Sequence, residues 1–333
     1  MHDCADWRCP CQNERQHTWR ELRRDIDNFI AFKRRLGFVY KGGEASLRRF
    51  QRFVEPFLRS RRGPLSLKTI TDRFIAEGGK LSCRMFCVDV ARVRHLCLYR
   101  RRLDPQAYAP DSLTLPQVKF LPYLLTKAEV RKTLIAARRY SGPGPRCSGE
   151  TAYLLVLICY CTGLRIGEAT RLQLDAVDTD ACTFCIRDSK RKTRIAPFGH
   201  DLSQEIKRYM RKRILLVHPR SGAKELLLGL DGRPLGYWRA NQVLTVIWRQ
   251  LGLKPPSGHG GVRPTDLRHA FARERLAAWY RKGADLNAQL PWLSAYMGHT
   301  NLLGTEIYLH TTPELMRTAS RLFERRFRQA GSL

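Results

Sequence analysis

The sequence predicts a mainly α-helical protein of the α+β class, with one small antiparallel sheet and a seam between a helical N-terminal domain and a mixed C-terminal one. Three observations predict this. The chain has 333 residues, 43% of them hydrophobic, enough to bury two cores. Apolar residues recur at helical spacing on both sides of a proline-rich stretch. Late in the chain, two short β-prone runs flank a tight basic turn.

Taken in order, residues 1–16 form an extension carrying Cys4, Cys9 and Cys11, followed by His17. Cys and His are zinc-ligand types, but this spacing fits no standard finger, so a structural zinc is the weaker reading and no metal is expected. Residues 17–102 read as a four-helix domain. From 19 to 36, Leu22, Ile26, Phe29 and Ile30 form an apolar stripe, and Gly37, Gly42 and Gly43 follow as stop and turn. Residues 47–58 repeat the pattern with Phe50, Phe53, Val54 and Phe57, and 67–76 and 82–99 complete the unit. Residues 103–122 contain Pro105, Pro110, Pro116 and Pro122, which excludes a regular element and predicts an extended linker.

The second domain spans 123–333. Thr126-Lys127-Ala128-Glu129 is a capping box, so a helix should run from there to about residue 139. Residues 153–160 are apolar all round, the mark of a buried helix. Residues 184–187 and 193–197 read as strands around the basic turn, and 206–217, 241–251, 266–279 and 290–297 as helices. Pro313 suits the first turn of a last helix over 313–328, with a stripe of Leu315, Ala319, Leu322, Phe323 and Phe327.

Sixty Lys and Arg against thirty Asp and Glu leave a formal charge of +30, spread along the whole chain. Such a chain is steered to polyanions, and duplex DNA is the expected partner. Arg20, Arg24, Arg48 and Arg52 interleave with the apolar residues of the first two helices, as a helical module laid along DNA would require. No secretory signal precedes the first helix, and the longest apolar run, 152–161, is too short to span a membrane. The expectation is a cytoplasmic protein with reduced cysteines, and Cys97, Cys159 and Cys161 read as small core residues.

Breaking a DNA strand and resealing it without an energy source needs a nucleophile that keeps the bond energy. Tyr serves, since its phenolate attacks well and later leaves well. Arginine forks match the charge gathering on the non-bridging phosphate oxygens, and a general acid must protonate the departing 5′ oxygen. The sequence offers this set in order: Thr162-Gly163-Leu164-Arg165-Ile166-Gly167-Glu168, the turn Ser189-Lys190-Arg191-Lys192-Thr193-Arg194, Pro264-Thr265-Asp266-Leu267-Arg268-His269, and Met297-Gly298-His299, with Tyr308 nine residues further on.

These segments resemble the catalytic domain of tyrosine recombinases, the family of phage integrases and chromosome-dimer resolvases. The resemblance covers about residues 120–330, and the helical module before it is similar in layout to the family's core-binding domain. It implies that Arg165 and Arg268 clamp the scissile phosphate, that His299 donates to it, and that Tyr308 becomes 3′-phosphotyrosyl. Lys190 is the favoured general acid, with Lys192 the alternative because the turn is one residue shorter than the family's usual form. Glu168, three residues after Arg165 on a helix, would brace the site. Arg191 and Arg194 read as DNA-backbone contacts, and His269 as a packing or hydrogen-bonding histidine.

One position departs from the family pattern: Thr265 stands where a histidine is usual. Threonine cannot relay protons near neutral pH, and its plain role would be the helix N-cap. Either the enzyme tolerates the change, or His259 in the Ser257–Gly261 loop substitutes. No cofactor is expected, because the arginines supply the positive charge that metal ions would otherwise bring. The resemblance further implies a dimer to tetramer on DNA, partner recombinases in some systems, docking of the C-terminal helix on a neighbouring protomer, and kinship with mobile-element recombinases. Two rival readings are a type IB topoisomerase-like enzyme and a catalytically silent architectural subunit. Thr265 is the one feature favouring the latter.

Overall fold

The structure is a computed structural model; it describes residues 16–17, 19–60, 65–77, 83–105, 107–111, 123–141, 147–189, 192–215, 222–256 and 260–299. The chain divides into two units, Met1–Lys119 and Phe120–Leu333.

The first unit holds α1 (Trp19–Arg35), α2 (Lys41–Ser60), α3 (Leu67–Glu77) and α4 (Cys83–Arg101). Short strands β1 (Gln16–His17) and β2 (Leu65–Ser66) pair antiparallel. Leu22, Ile26 and Phe29 of α1 meet Leu47 and Phe50 of α2 and Val93 and Leu96 of α4, all at most 1% exposed. Phe50 and Phe74 meet edge to face at 5.0 Å. Gly42 and Gly43, expected as a stop, instead lie in the first turn of α2. The turn is made earlier, at Gly37 (φ 78°) and Tyr40 (φ 52°). The Tyr40 ring lies where a side chain on residue 43 would sit, so Gly43 serves close packing and not chain reversal. Under this core, Asp89 is fully buried and accepts two hydrogen bonds from Arg49, at 2.7 and 2.6 Å.

The second unit holds α5 (Lys127–Arg138), α6 (Gly149–Thr162), α7 (Ile166–Ala169), β3 (Val177–Asp178), β4 (Thr183–Ser189), β5 (Lys192–Pro197), α8 (His200–Arg213), α9 (Tyr237–Gln250), α10 (Pro264–Arg281) and α11 (Leu286–Met297). The architecture is mainly helical with one antiparallel sheet ordered β3-β4-β5, in which Phe184 faces Ala196 and Ile186 faces Arg194. The capping box opens α5: Glu129 N–H donates to Thr126 Oγ1 (3.2 Å), and Thr126 N–H to Glu129 Oε2 (2.7 Å). Helix α6 lies at the centre, with Leu155, Ile158 and Cys159 fully buried against α5, α8 and α10. Burial pushes the Cys159 thiol up to about 12, as it does for Cys97 in the first unit.

Four helices begin before the apolar stripe that marks them. Helix α8 starts at His200, α9 at Tyr237, α10 at Pro264 and α11 at Leu286, because most residues of each first turn are polar or exposed. No helix among the described residues is long and apolar enough to cross a membrane.

The Arg49–Asp89 pair sets a first prediction. Arg49→Met strands a buried carboxylate and should lower the stability of the first unit by about 3 kcal/mol. Asp89→Asn, which leaves only the partly exposed Arg49 without its counter-charge, should cost clearly less. Urea unfolding of both variants checks the order.

Candidate active site

The site is built on two helix ends. Helix α6 stops at Thr162, and Gly163 turns the chain left-handed at φ 61°. An added Cβ there would lie 2.5 Å from the Phe271 ring, so both conformation and space require glycine. Helix α11 stops at Met297, and Gly298 turns left-handed at φ 65°. His299 N–H donates back to Ser294 O at 3.0 Å, closing the turn in the Schellman manner.

The carbonyls freed at these ends face guanidinium groups. Arg268 on α10 is 3% exposed; its Nη1 donates to Gly163 O (2.6 Å) and its Nη2 to Met297 O (2.5 Å). Arg165, the N-cap residue of α7, donates through Nη2 to Gly298 O at 3.2 Å. The structure thus brings Arg165, Arg268 and the His299 turn together around the same backbone.

Glu168 holds the other side of Arg165. Its carboxylate, 2% exposed, accepts from Arg165 N–H (3.0 Å) and Arg165 Nη1 (2.8 Å). It also accepts from Arg194 Nη2 (2.9 Å) and Nη1 (3.3 Å). Arg194, expected as a DNA-backbone contact, is here turned onto the Glu168 carboxylate. Its side chain is 11% exposed, and its Nε donates to Tyr296 O at 2.8 Å, so the guanidinium points inward. The physical reason is strand parity: Arg194 shares a face with fully buried Ala196, while Ile195 between them is 67% exposed. Two guanidinium groups hold the one carboxylate and Arg268 binds the same α11 end, so the cluster has more cations than anions, a field suited to a phosphate.

Thr265 is not the N-cap of α10. The cap is Arg263, Pro264 takes the first helical position, and Thr265 is exposed in the first turn. Arg263 N–H donates to Asp266 Oδ2 (2.8 Å), so Asp266, fully buried, does the capping that was expected of the threonine. His269 lies one turn further, with Nε2 3.9 Å from Asp266 Oδ1. Burial, then the nearby Arg263 and Arg268, push its pKa down to about 4, so it is neutral at pH 7. Tyr296 stacks on Phe271 at 5.5 Å and donates to Pro197 O at 2.8 Å; burial raises its phenol to about 12.

Lys190, Arg191, His259 and Tyr308 lie outside the described residues, as do Cys4, Cys9, Cys11, the last helix over 313–328 and the side chains of Lys192 and His17. In the first unit, Arg20, Arg24 and Arg52 are exposed, whereas Arg48 donates to Asp27 Oδ1 and to Gln51 Oε1, both at 2.7 Å.

Residues 124–314 match the phage integrase family. The chain is 29% identical over 311 residues to y4rB of Sinorhizobium fredii, named as an integrase/recombinase, covering 92% of this chain and 98% of that one. It is 32% identical over 220 residues to the tyrosine recombinase XerA of Thermococcus kodakarensis, covering 65% and 67%. In fold it is similar to the Tn1549 transposon integrase solved with circular intermediate DNA (TM-score 0.62, 19% identity, 90% of this chain and 99% of that one). It is also similar to the XerH recombinase bound to difH substrate (TM-score 0.61, 18% identity, 85% and 79%). The chain belongs to the phage integrase family and is an enzyme of the tyrosine recombinase type.

The geometry makes two testable demands. Gly298→Ala meets an unfavourable positive φ and places Cβ 2.8 Å from Arg194 Nη1. It should cost about 1–2 kcal/mol of stability, read as a lowered urea midpoint. The second concerns His269, whose pKa falls from an unfolded value near 6.5 to about 4 on folding. The unfolded chain takes up the proton first, so stability present above pH 6.5 is lost as pH falls toward 4, by on the order of 1–3 kcal/mol. His269→Gln should flatten that part of the stability–pH curve, and an unchanged slope would show that another group carries it.

Proposed function

We propose that the chain is a site-specific recombinase that cuts and rejoins duplex DNA through a 3′-phosphotyrosyl bond to Tyr308. The observation that carries this reading is the pair of guanidinium groups, Arg165 and Arg268, held at fixed helix ends beside the His299 turn. Donors fixed before the substrate arrives stabilise transition-state charge without reorganising, and they would grip the non-bridging oxygens of the scissile phosphate.

Tyr308 attacks phosphorus, the P–O5′ bond breaks, and Lys190 delivers a proton to the leaving 5′ oxygen; Lys192 is the alternative donor. His299 donates to the same phosphate. Glu168 holds Arg165 in place. Rejoining is the reverse, with a 5′ hydroxyl attacking the phosphotyrosine, so the bond energy is conserved and no nucleotide cofactor is needed. The charge of +30 and the exposed Arg20, Arg24 and Arg52 support binding to the duplex backbone. Protomers would assemble as dimers to tetramers on two sites and exchange strands in turn, the helix over 313–328 docking on a neighbour. The similar fold of the Tn1549 integrase, a transposon enzyme, supports a mobile-element setting, with this chain acting on bacterial DNA in the cytoplasm.

Thr265 favours one second reading, a subunit that binds DNA in a recombination complex without cutting it. Incubation with a suicide duplex carrying the element's ends, in EDTA, separates the two. Wild type should form a protein–DNA adduct that survives denaturation, Tyr308→Phe should form none, and Arg268→Ala should slow adduct formation by about 100-fold or more. Binding by wild type without any adduct would overturn the recombinase reading in favour of the silent subunit.

A further inference from the structure

We propose that Arg194 is a positioning residue for catalysis: it locks strand β5 and the C-terminal end of α11 onto Glu168, and through Glu168 fixes the guanidinium of Arg165. This rests on the function proposed above and assigns a role to a side chain that the sequence places among DNA contacts.

The geometry is that of a fork with two targets. The two terminal nitrogens of Arg194 reach both oxygens of Glu168, at 2.9 and 3.3 Å, while its Nε donates to Tyr296 O at 2.8 Å. The plane of the guanidinium lies against Gly298, where a side chain would come within 2.8 Å of Nη1 and 3.0 Å of Cζ. Gly298 O is in turn an acceptor for Arg165 Nη2, and Glu168 Oε1 an acceptor for Arg165 Nη1. Arg194 and Arg165 therefore grip the same carboxylate and the same short backbone segment from two sides. Arg165 is 30% exposed, whereas Nε, Nη1 and Nη2 of Arg194 are all engaged by Tyr296 O and the Glu168 carboxylate. One arginine faces outward and one inward, and Glu168 links them.

Two consequences separate this role from a phosphate contact. Removing a phosphate contact weakens DNA binding and reduces the salt slope of log K by about 0.9. Removing a positioning group leaves both unchanged and slows the chemical step at saturating DNA. A planar fork is also needed to hold Glu168 and Tyr296 O together, so lysine can replace only part of the function.

The test compares wild type, Arg194→Gln, Arg194→Lys, Glu168→Gln and the double variant Glu168→Gln/Arg194→Gln. DNA affinity is measured across a salt series, and single-turnover adduct formation on the suicide duplex at saturating protein. The expected result is an unchanged salt slope for Arg194→Gln with a cleavage rate reduced on the order of 100-fold, partial recovery in Arg194→Lys, and a double variant no slower than Glu168→Gln alone. The double variant strands no buried charge, so it carries the comparison if Arg194→Gln folds poorly. A salt slope reduced by about one contact with cleavage at the wild-type rate overturns the proposal, as do fully additive rate losses in the double variant. A wild type that binds DNA but forms no Tyr308 adduct overturns the recombinase reading, and this assignment with it. That failure is distinct, because the first two arise only where wild type cleaves.

Discussion

The constraint on which the second unit depends is the need to satisfy backbone carbonyls at the ends of buried helices. The last turn of any helix has carbonyl groups without an intrahelical donor. At the surface water meets them, but α6 runs through the centre of its unit and α11 ends beside it. Leaving such groups unmet in a dry interior costs about 1–3 kcal/mol each. The fold meets the need with arginine. Arg268 takes Gly163 O from one helix and Met297 O from the other, so one side chain on α10 fastens two helix ends. The negative ends of the two helix dipoles also favour a cation there. The groups proposed to hold a phosphate are thus held first by structural necessity, which explains how a charge 3% exposed is tolerated.

The same economy shapes the acid–base balance. A lone carboxylate at 2% exposure would be driven to its neutral form. Glu168 is not alone: two arginines flank it and a backbone N–H caps it. With Arg268 counted, the cluster carries more positive than negative charge, which suits the phosphate proposed to bind there. Each guanidinium has its orientation set by backbone and carboxylate acceptors of the fold itself.

Much of this was legible in the sequence. The stripe Leu22, Ile26, Phe29 and Ile30 marked α1, the apolar run within α6 marked the central helix, and the Thr126–Glu129 box marked the start of α5 to the residue, because each is a local signal with a local cause. The segments carrying Arg165, Arg268 and His299 were readable as one set, and the fold does bring them together. What was not legible depends on partners distant in sequence. Gly43 looks like a helix stop until the Tyr40 ring is placed on it. Arg194 looks like one more basic residue in a basic turn. The signal that would have turned it inward was present, since it lies two residues from Ala196 on a strand, but reading parity requires knowing which face of the sheet is covered. The short elements α7 and β3 fall below the length at which periodicity carries information.

Thr265 shows how a fold can separate structural from chemical duty. The start of α10 is secured without it: Pro264 supplies the preset first turn, and buried Asp266 satisfies the N–H of Arg263 and accepts from its guanidinium. Residue 265 itself is exposed. A side chain there is under no packing demand and closes no capping bond, so the helix does not dictate the identity of residue 265. His269, one turn deeper, illustrates the opposite case. It is mostly buried, faces Asp266 and is held neutral by desolvation and by Arg263 and Arg268, so its identity answers to the interior. Two neighbouring positions on one helix face therefore sit under different physical constraints. The departure from the family pattern falls on the one where the helix has nothing to lose.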